Sequence, residues 1–258
     1  GEIGDPRALQ PLTFALRDPS PEVKLEALSA LATMRAGEAV DSIAPLLSDR
    51  NTLVRQGAAA ALGALGNARA AEAIALNLGG PDDTTSTERT PLRGALLSTQ
   101  KHAVAVCGRV LAHPKNKAAA ASCAWVAGAL RAAPLSPAIT TAMRRGTLPA
   151  VNALAALRAI GNAADLPTVL EYLSDASEPT RRAAIAAAIG LLDPKAPDGR
   201  AVDPIIARLN DSTIERDERI ELTTLLGRTG SARAVAPLLT LLNVSDNAAK
   251  AAALHAIG

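Results

Sequence analysis

The residues best suited to chemistry are three histidines and two cysteines. Cys107 lies between His102 and His113, but the surrounding sequence is rich in Ala and Val, which is typical of helix packing rather than of a nucleophile with its base. His255 stands apart near the end of the chain. Cys107 and Cys123 are predicted to be buried free thiols, and one bridge between adjacent helices is the alternative. We predict no catalytic residue, no metal site and no cofactor.

A second candidate is the acidic group Asp82, Asp83 and Glu88, which could attract a cation. It lies in residues 79–91, a stretch without apolar periodicity and rich in turn formers. The spacing of a calcium-binding loop is missing. We therefore predict an inserted, solvated surface loop over residues 79–91.

The helices that would position any site follow a repeating sequence pattern. Asp18 and Asp49 open two copies of one pattern, 31 positions apart, and Val23 in the first copy corresponds to Val54 in the second. A fixed period of this size indicates stacked helix pairs, each of which buries its apolar face only against its neighbours. We predict an all-α fold, a right-handed α-α superhelix of about seven complete helix pairs with partial pairs at both ends. Residues 1–258 would form one domain, an excerpt of a longer chain with further domains or subunits at both ends.

Composition limits the function classes. Hydrophobic residues make up 48% of the chain and aromatic residues 1%, so the core consists of small aliphatic side chains that suit closely packed helices. The 27 basic and 25 acidic residues nearly cancel, and no basic excess points to nucleic acid. The longest apolar run, residues 118–130, is too short to cross a bilayer. We expect a soluble bacterial protein of the cytoplasm, with export left open because the chain begins at Gly1.

These patterns carry a resemblance to a known family. The chain resembles HEAT repeats in their short bacterial, phycobilisome-lyase-like form, over all residues except the insert at 79–91. The fourth pair fits poorly, and Ala120 and Ala150 replace the basic residue of the fifth and sixth. The matching residues are Asp18 with Val23-Lys24, Asp49 with Val54-Arg55, Asp175 with Arg182, and the openings Gly4-Asp5-Pro6-Arg7-Ala8, Gly66-Asn67-Ala68-Arg69-Ala70 and Gly230-Ser231-Ala232-Arg233-Ala234.

The resemblance implies a structural role for a ladder of charges. In such arrays a basic residue of the first helix bonds to the turn aspartate of its own or the adjacent pair, and charge-assisted bonds of this kind tie turn to helix. Phosphate binding is the alternative. The predicted ladder consists of Asp18, Lys24, Asp49, Arg55, Asp175, Arg182, Arg219 and Lys250.

The resemblance also implies where a partner would bind, because second helices line the concave surface of such arrays. Charges of both signs alternate along their expected exposed positions, which suits a partner protein better than a polyanion. An ordinary solvated helix face is the alternative. The candidate groove residues are Arg7, Gln10, Arg69, Glu72, Asp165, Glu171, Arg200, Asp203 and Arg233.

We therefore predict a non-catalytic scaffold or adaptor that binds a partner protein in the groove or at its open ends. A bilin-lyase-like enzyme of the same repeat type is the first alternative, and a nucleic-acid-binding solenoid is the second. The hydroxylase activity known in this repeat class uses His-Glu pairs, and it is excluded because His102, His113 and His255 are followed by Ala, Pro and Ala.

Overall fold

The chain folds as stacked helix pairs, as the repeat predicts. The computed structural model describes residues 5–80, 90–193, 195–211, 213–242 and 247–257, which form α-helices, short 3₁₀ helices and turns. The predicted all-α superhelix is confirmed. The acidic part of the predicted insert, residues 81–89, lies outside the described residues, and Pro91, placed in the insert, is instead the first residue of a helix.

Two compact units make up the chain, residues 1–152 and 153–258. The division falls within one helix, so the prediction of a single domain stays a prediction. The helices are α1 (Leu9–Ala15), α2 (Pro21–Thr33), α3 (Val40–Ile43), α4 (Thr52–Leu65), α5 (Ala68–Asn77), α6 (Pro91–Ser98), α7 (Lys101–Ala112), α8 (Lys117–Ala129), α9 (Ser136–Arg144), α10 (Ala150–Ile160), α11 (Leu166–Glu171), α12 (Glu178–Leu191), α13 (Val202–Leu209), α14 (Arg216–Arg228), α15 (Val235–Leu241) and α16 (Asn247–Ile257).

In the first unit, even-numbered helices are the first helices of their pairs and odd-numbered helices the second. First helix α4 packs against α2 and α6, and second helix α5 packs against α3 and α7. Leu31, Ile43, Leu62 and Ile74 are fully buried between these layers. Each pair therefore supplies one face of the core that its neighbour completes.

The turn from first to second helix repeats one backbone conformation. Gly66 closes α4 with φ 63°, a left-handed conformation that glycine adopts without steric cost. Arg35, Gln100 and Arg131 adopt φ of 50°, 45° and 49° where their own first helices end. The pair geometry therefore imposes this conformation even where no glycine is present.

The second unit follows the same plan. First helix α14 packs against α12 and α16, and second helix α11 packs against α13. Ile205, Leu222, Leu225 and Leu226 are fully buried in its core. Across both units, none of the helices in the described part of the chain has the length and hydropathy needed to cross a bilayer.

Candidate functional site

An aspartate builds the turn that leads into a first helix. Asp49 accepts the N–H of Asn51 at 2.8 Å, and Asn51 in turn caps α4 by accepting the N–H of Leu53 at 2.8 Å. Asp18 and Asp175 each accept the N–H two positions later at the same distance. This local bond fixes the turn, and at Asp18 and Asp49 the capping residue that follows also fixes the start of the next helix.

The basic ladder residues bond to these turns in two ways. Lys24 Nζ donates to Asp49 Oδ2 in the next helix pair at 2.7 Å. The Arg55 Nη1 group donates to the carbonyl oxygens of Asp49 at 3.0 Å and of Arg50 at 3.2 Å, in its own turn. The hydrogen bond from Lys24 holds the pKa of the Asp49 carboxyl below its usual value. Lys24 thus joins two helix pairs, whereas Arg55 joins its helix to its own turn.

The ladder prediction is off by one residue at Arg182. Helix α12 starts at Glu178 after its cap residue Ser177, and the fourth residue after Ser177 is Arg181. Arg181 Nη1 donates to the carbonyl of Asp175 at 3.1 Å, as Arg55 does in its turn. Arg182 points about 100° away around the helix and pairs with Glu178 of its own helix at 2.8 Å.

The last two ladder residues lie in the second unit. Arg219 Nη1 donates to the carbonyl of Leu209 at 3.4 Å, again at the fourth position after the residue that precedes the helix. Lys250 is half-buried on α16. The structural role of Lys250 stays a prediction.

Replacing Arg55 by Ala is expected to lower the free energy of unfolding by about 1 kcal/mol, because two turn carbonyls lose their donor. Guanidinium denaturation followed by circular dichroism measures the loss. Replacing Arg182 by Ala is the control, since its pair with Glu178 is 46% exposed on both sides and such pairs contribute little. Equal effects of the two substitutions would contradict the structural role of Arg55.

A buried ion cluster in the second unit was not foreseen. Glu218 is 3% exposed and accepts from Arg208 Nε at 2.7 Å and from Arg181 Nε at 3.2 Å. Burial raises the pKa of Glu218, but hydrogen bonds from Arg208 and Arg181 outweigh it and hold the pKa below its usual value. Its position in α14 matches that of buried Val54 in α4, and an acid at that position is the signal that sequence reasoning missed.

The second helices of neighbouring pairs are joined by exposed ion pairs. Arg69 on α5 contacts Asp41 on α3, and Arg109 on α7 contacts Glu72 on α5. In the second unit, Arg233 Nη2 lies 2.8 Å from Asp203 Oδ1. The alternating charges predicted along the groove therefore neutralise each other between pairs. Exposed pairs of this kind contribute about 0.2–1 kcal/mol each and mainly orient the side chains.

Two groove arginines bond within their own turn. Arg7 lies 2.5 Å from Asp5, and Arg200 lies 2.6 Å from Asp198. The hydrogen bond from Arg200 holds the pKa of Asp198 below its usual value. Both arginines remain exposed, so their outer surfaces stay accessible to a partner.

Of the other predicted groove residues, Gln10 and Glu171 are exposed, but Asp165 is only 8% exposed. Asp165 is the third residue after Asn162, and the same position in another second helix is Ala70, which is fully buried. The helix register therefore turns Asp165 inward, and we withdraw it from the exposed groove.

The sequence did not locate apolar anchors for a partner, but several apolar side chains on second helices are exposed in the structure. Leu76 on α5 is 69% exposed and Phe14 on α1 is 76% exposed. A pocket of about 320 Å³ lies beside Leu76, lined by Val40, Asp41, Ala44, Arg69, Glu72, Ala73 and Asn77. In the second unit, Val235 and Leu239 on α15 are 44% and 50% exposed.

The candidate chemical residues do not form a site in the described chain. Cys107 and Cys123 are buried and not joined by a disulfide, His102 is half-buried, and His113 and His255 are exposed. Among the residues that the structure describes, no three His, Cys, Asp or Glu side chains lie together in a way that could hold a metal ion. The functional candidate is therefore the surface of the second helices, which we call the second-helix face: in the first unit, the exposed side chains of α1, α3 and α5.

Comparison with known proteins supports the repeat type. A family profile described as HEAT repeats matches residues 9–88. No curated protein matches the chain. Among solved structures, YibA of Escherichia coli is 19% identical, with a TM-score of 0.50 over 96% of this chain and 91% of its own. That likeness concerns the fold alone.

Two further structures are similar at lower scores. Human deoxyhypusine hydroxylase is 17% identical over 97% of this chain and 95% of its own, with a TM-score of 0.40. The complex of CpcE and CpcF of phycocyanin lyase from Nostoc is 20% identical over 95% of this chain and 85% of its own, with a TM-score of 0.31. At such scores neither likeness says anything about activity.

Proposed function

We propose that this chain, whose residues 9–88 match a profile of HEAT repeats, acts as a non-catalytic scaffold that binds a partner protein on its second-helix face. Stacked helix pairs present an extended, rigid surface built from many small contacts. Function in such a fold resides in the side chains that the surface carries. The proposal therefore depends on what the second helices expose.

The observation that carries the proposal is the setting of Leu76. Leu76 is 69% exposed, so a partner that covers it removes apolar surface from water and makes the free energy of binding more favourable. Around it lie the charged side chains of Asp41, Arg69 and Glu72, beside a pocket of about 320 Å³. An apolar anchor inside a polar rim is the arrangement found at the centre of protein interfaces.

Replacing Leu76 by Glu is expected to weaken partner binding by more than about 30-fold, because a charge would be buried where the anchor packs. The measurement is affinity capture from the native lysate with the purified chain, followed by titration of the captured protein against wild type and variant. Circular dichroism checks that the variant retains its helix content.

The matched control is Leu53→Glu. Leu53 is 60% exposed, but it lies on first helix α4 and not on the second-helix face. Binding should survive this change. If both substitutions weaken binding equally, or if Leu76→Glu leaves it unchanged, the proposed site is wrong.

A further inference from the structure

Charge is distributed very unevenly along the chain. Residues 89–164 contain ten Lys and Arg and no Asp or Glu, so the other 17 basic residues and all 25 acidic residues lie elsewhere. Nine of the ten precede residue 153 and belong to the first unit. The net charge of +2 therefore conceals a basic section flanked by two acidic ones.

Acids are missing from this section even where other helix pairs use one for structure. Asp49 builds its turn two positions before the cap residue Asn51. Two positions before the cap residue Asn116, the chain has Pro114 instead, and the turn before α10 has Thr147. The depletion of carboxylates thus extends to the turn that bears the ladder aspartate.

Many exposed cations of this section also form no ion pair within the described part of the chain, although Arg109 pairs with Glu72 of the preceding helix pair. Six exposed basic side chains of the section form no ion pair with any residue that the structure describes: Lys101, Lys115, Lys117, Arg131, Arg145 and Arg158.

Three of these residues lie at two neighbouring junctions where the second helix of one pair leads into the first helix of the next. Lys115 and Lys117 follow α7, and Arg145 follows α9, which packs against α7. We call Lys115, Lys117 and Arg145 the basic patch. Helix stability accounts for Arg145, since a helix C-terminus favours a cation, but not for Lys117 in the first turn of α8, where the helix dipole disfavours one.

We propose that the basic patch binds an acidic segment of a partner protein. This rests on the proposed function, because it names the chemistry of a partner that the scaffold would hold. The patch lies on two neighbouring helix pairs whose second helices, α7 and α9, pack about 10 Å apart, a distance that about three residues of extended chain would span. Unpaired surface cations of this kind attract and orient an acidic ligand.

Nucleic acid fits this surface less well. A duplex carries a charge about every 1.7 Å along its axis, so a patch of three cations would neutralise only a short part of it. Single strands need aromatic platforms, and Trp125, the one aromatic residue of the basic section, is half-buried. A short acidic peptide requires neither a longer basic surface nor stacking.

The test uses the purified full chain and a fluorescein-labelled oligo-glutamate peptide, followed by fluorescence anisotropy at rising salt. Wild type is expected to bind oligo-glutamate but not oligo-glutamine of the same length, with an affinity that falls as salt rises. Reversing the basic patch to Glu should weaken binding by more than about tenfold. The matched control reverses three exposed arginines of the first unit outside the basic section, and it should change binding by less than about twofold: Arg17, Arg35 and Arg50.

Several outcomes would overturn the inference: no oligo-glutamate binding, equal losses for the patch and control variants, or tighter binding of a DNA duplex of equal charge. If the charge-reversed protein fails to fold, the combined neutral variant Lys115→Gln, Lys117→Gln and Arg145→Gln replaces it, and it should also bind oligo-glutamate more weakly than wild type. A partner held through Leu76 without oligo-glutamate binding would refute only this inference. Oligo-glutamate binding with no effect of Leu76→Glu on the captured partner would refute only the proposed site.

Discussion

Replacing Glu218 by Gln is expected to lower the free energy of unfolding by about 3 kcal/mol. The substitution preserves shape but leaves Arg208, 6% exposed, and Arg181 without the carboxylate that both contact. A buried cation that loses its partner keeps the full cost of desolvation. Asp211 still contacts Arg208 at 2.5 Å, which keeps the loss near the lower end of the range for such substitutions. Guanidinium denaturation followed by circular dichroism measures it.

The control is Glu178→Gln, which removes another Arg–Glu pair from the same unit. Both members of that pair are 46% exposed, so water replaces the lost contact and the expected change is below about 0.5 kcal/mol. If the two variants lost the same free energy of unfolding, burial would not explain the contribution of the Glu218 cluster to stability.

Acid adds an independent check on Glu218. Its pKa in the folded chain lies below the ordinary value of 4.5, because the hydrogen bonds from Arg208 and Arg181 outweigh the effect of burial. The cluster therefore contributes its full stability above pH 4.5, and the contribution is lost as pH falls through the lower folded pKa. The Glu218→Gln variant should lack this part of the acid dependence.

The fold was predictable because each helix pair repeats the same physical requirement. A turn aspartate, a cap and a buried small-residue face recur at Asp18 and Asp49, and no pair can satisfy its apolar face alone. Since the period itself defines the architecture, element type and order follow from sequence without long-range information.

The site was predictable only in part, because helix rotation decides it. A shift of one residue separates the predicted ladder residue Arg182 from Arg181, which makes the bond, and one residue corresponds to about 100° around the helix. Asp165 was predicted to be exposed for the same reason, although it occupies the helix position of Ala70, and both residues are buried. The exposure of Leu76 depends on neighbouring helices and has no local sequence signal.

Replacing Gly63 by Ala is expected to lower the free energy of unfolding by about 1–2 kcal/mol, although alanine is the better helix former by about 1 kcal/mol. A Cβ added at Gly63 would lie 2.9 Å from Cα and 3.1 Å from the carbonyl oxygen of Ala95. Those are backbone atoms of α6 and cannot swing aside, so α4 and α6 would have to separate. Thermal and guanidinium denaturation measure the change.

Gly108→Ala is the matched control, with the opposite expected sign. Gly108 also lies within a helix, but its added Cβ would meet only the side-chain atom Leu135 Cδ2, at 3.4 Å, an ordinary contact. Only the propensity gain remains there, about 0.5–1 kcal/mol of added stability.

The close approach at Gly63 recurs in the second unit. A Cβ at Gly227 would lie 2.9 Å from Cα of Ala256, where α14 packs against α16. Both glycines occupy the same position counted from the residue before their helices, Asn51 and Glu215. The absence of a side chain at this glycine position therefore sets the spacing between first helices. A stabilising effect of Gly63→Ala would show instead that α4 and α6 can separate freely.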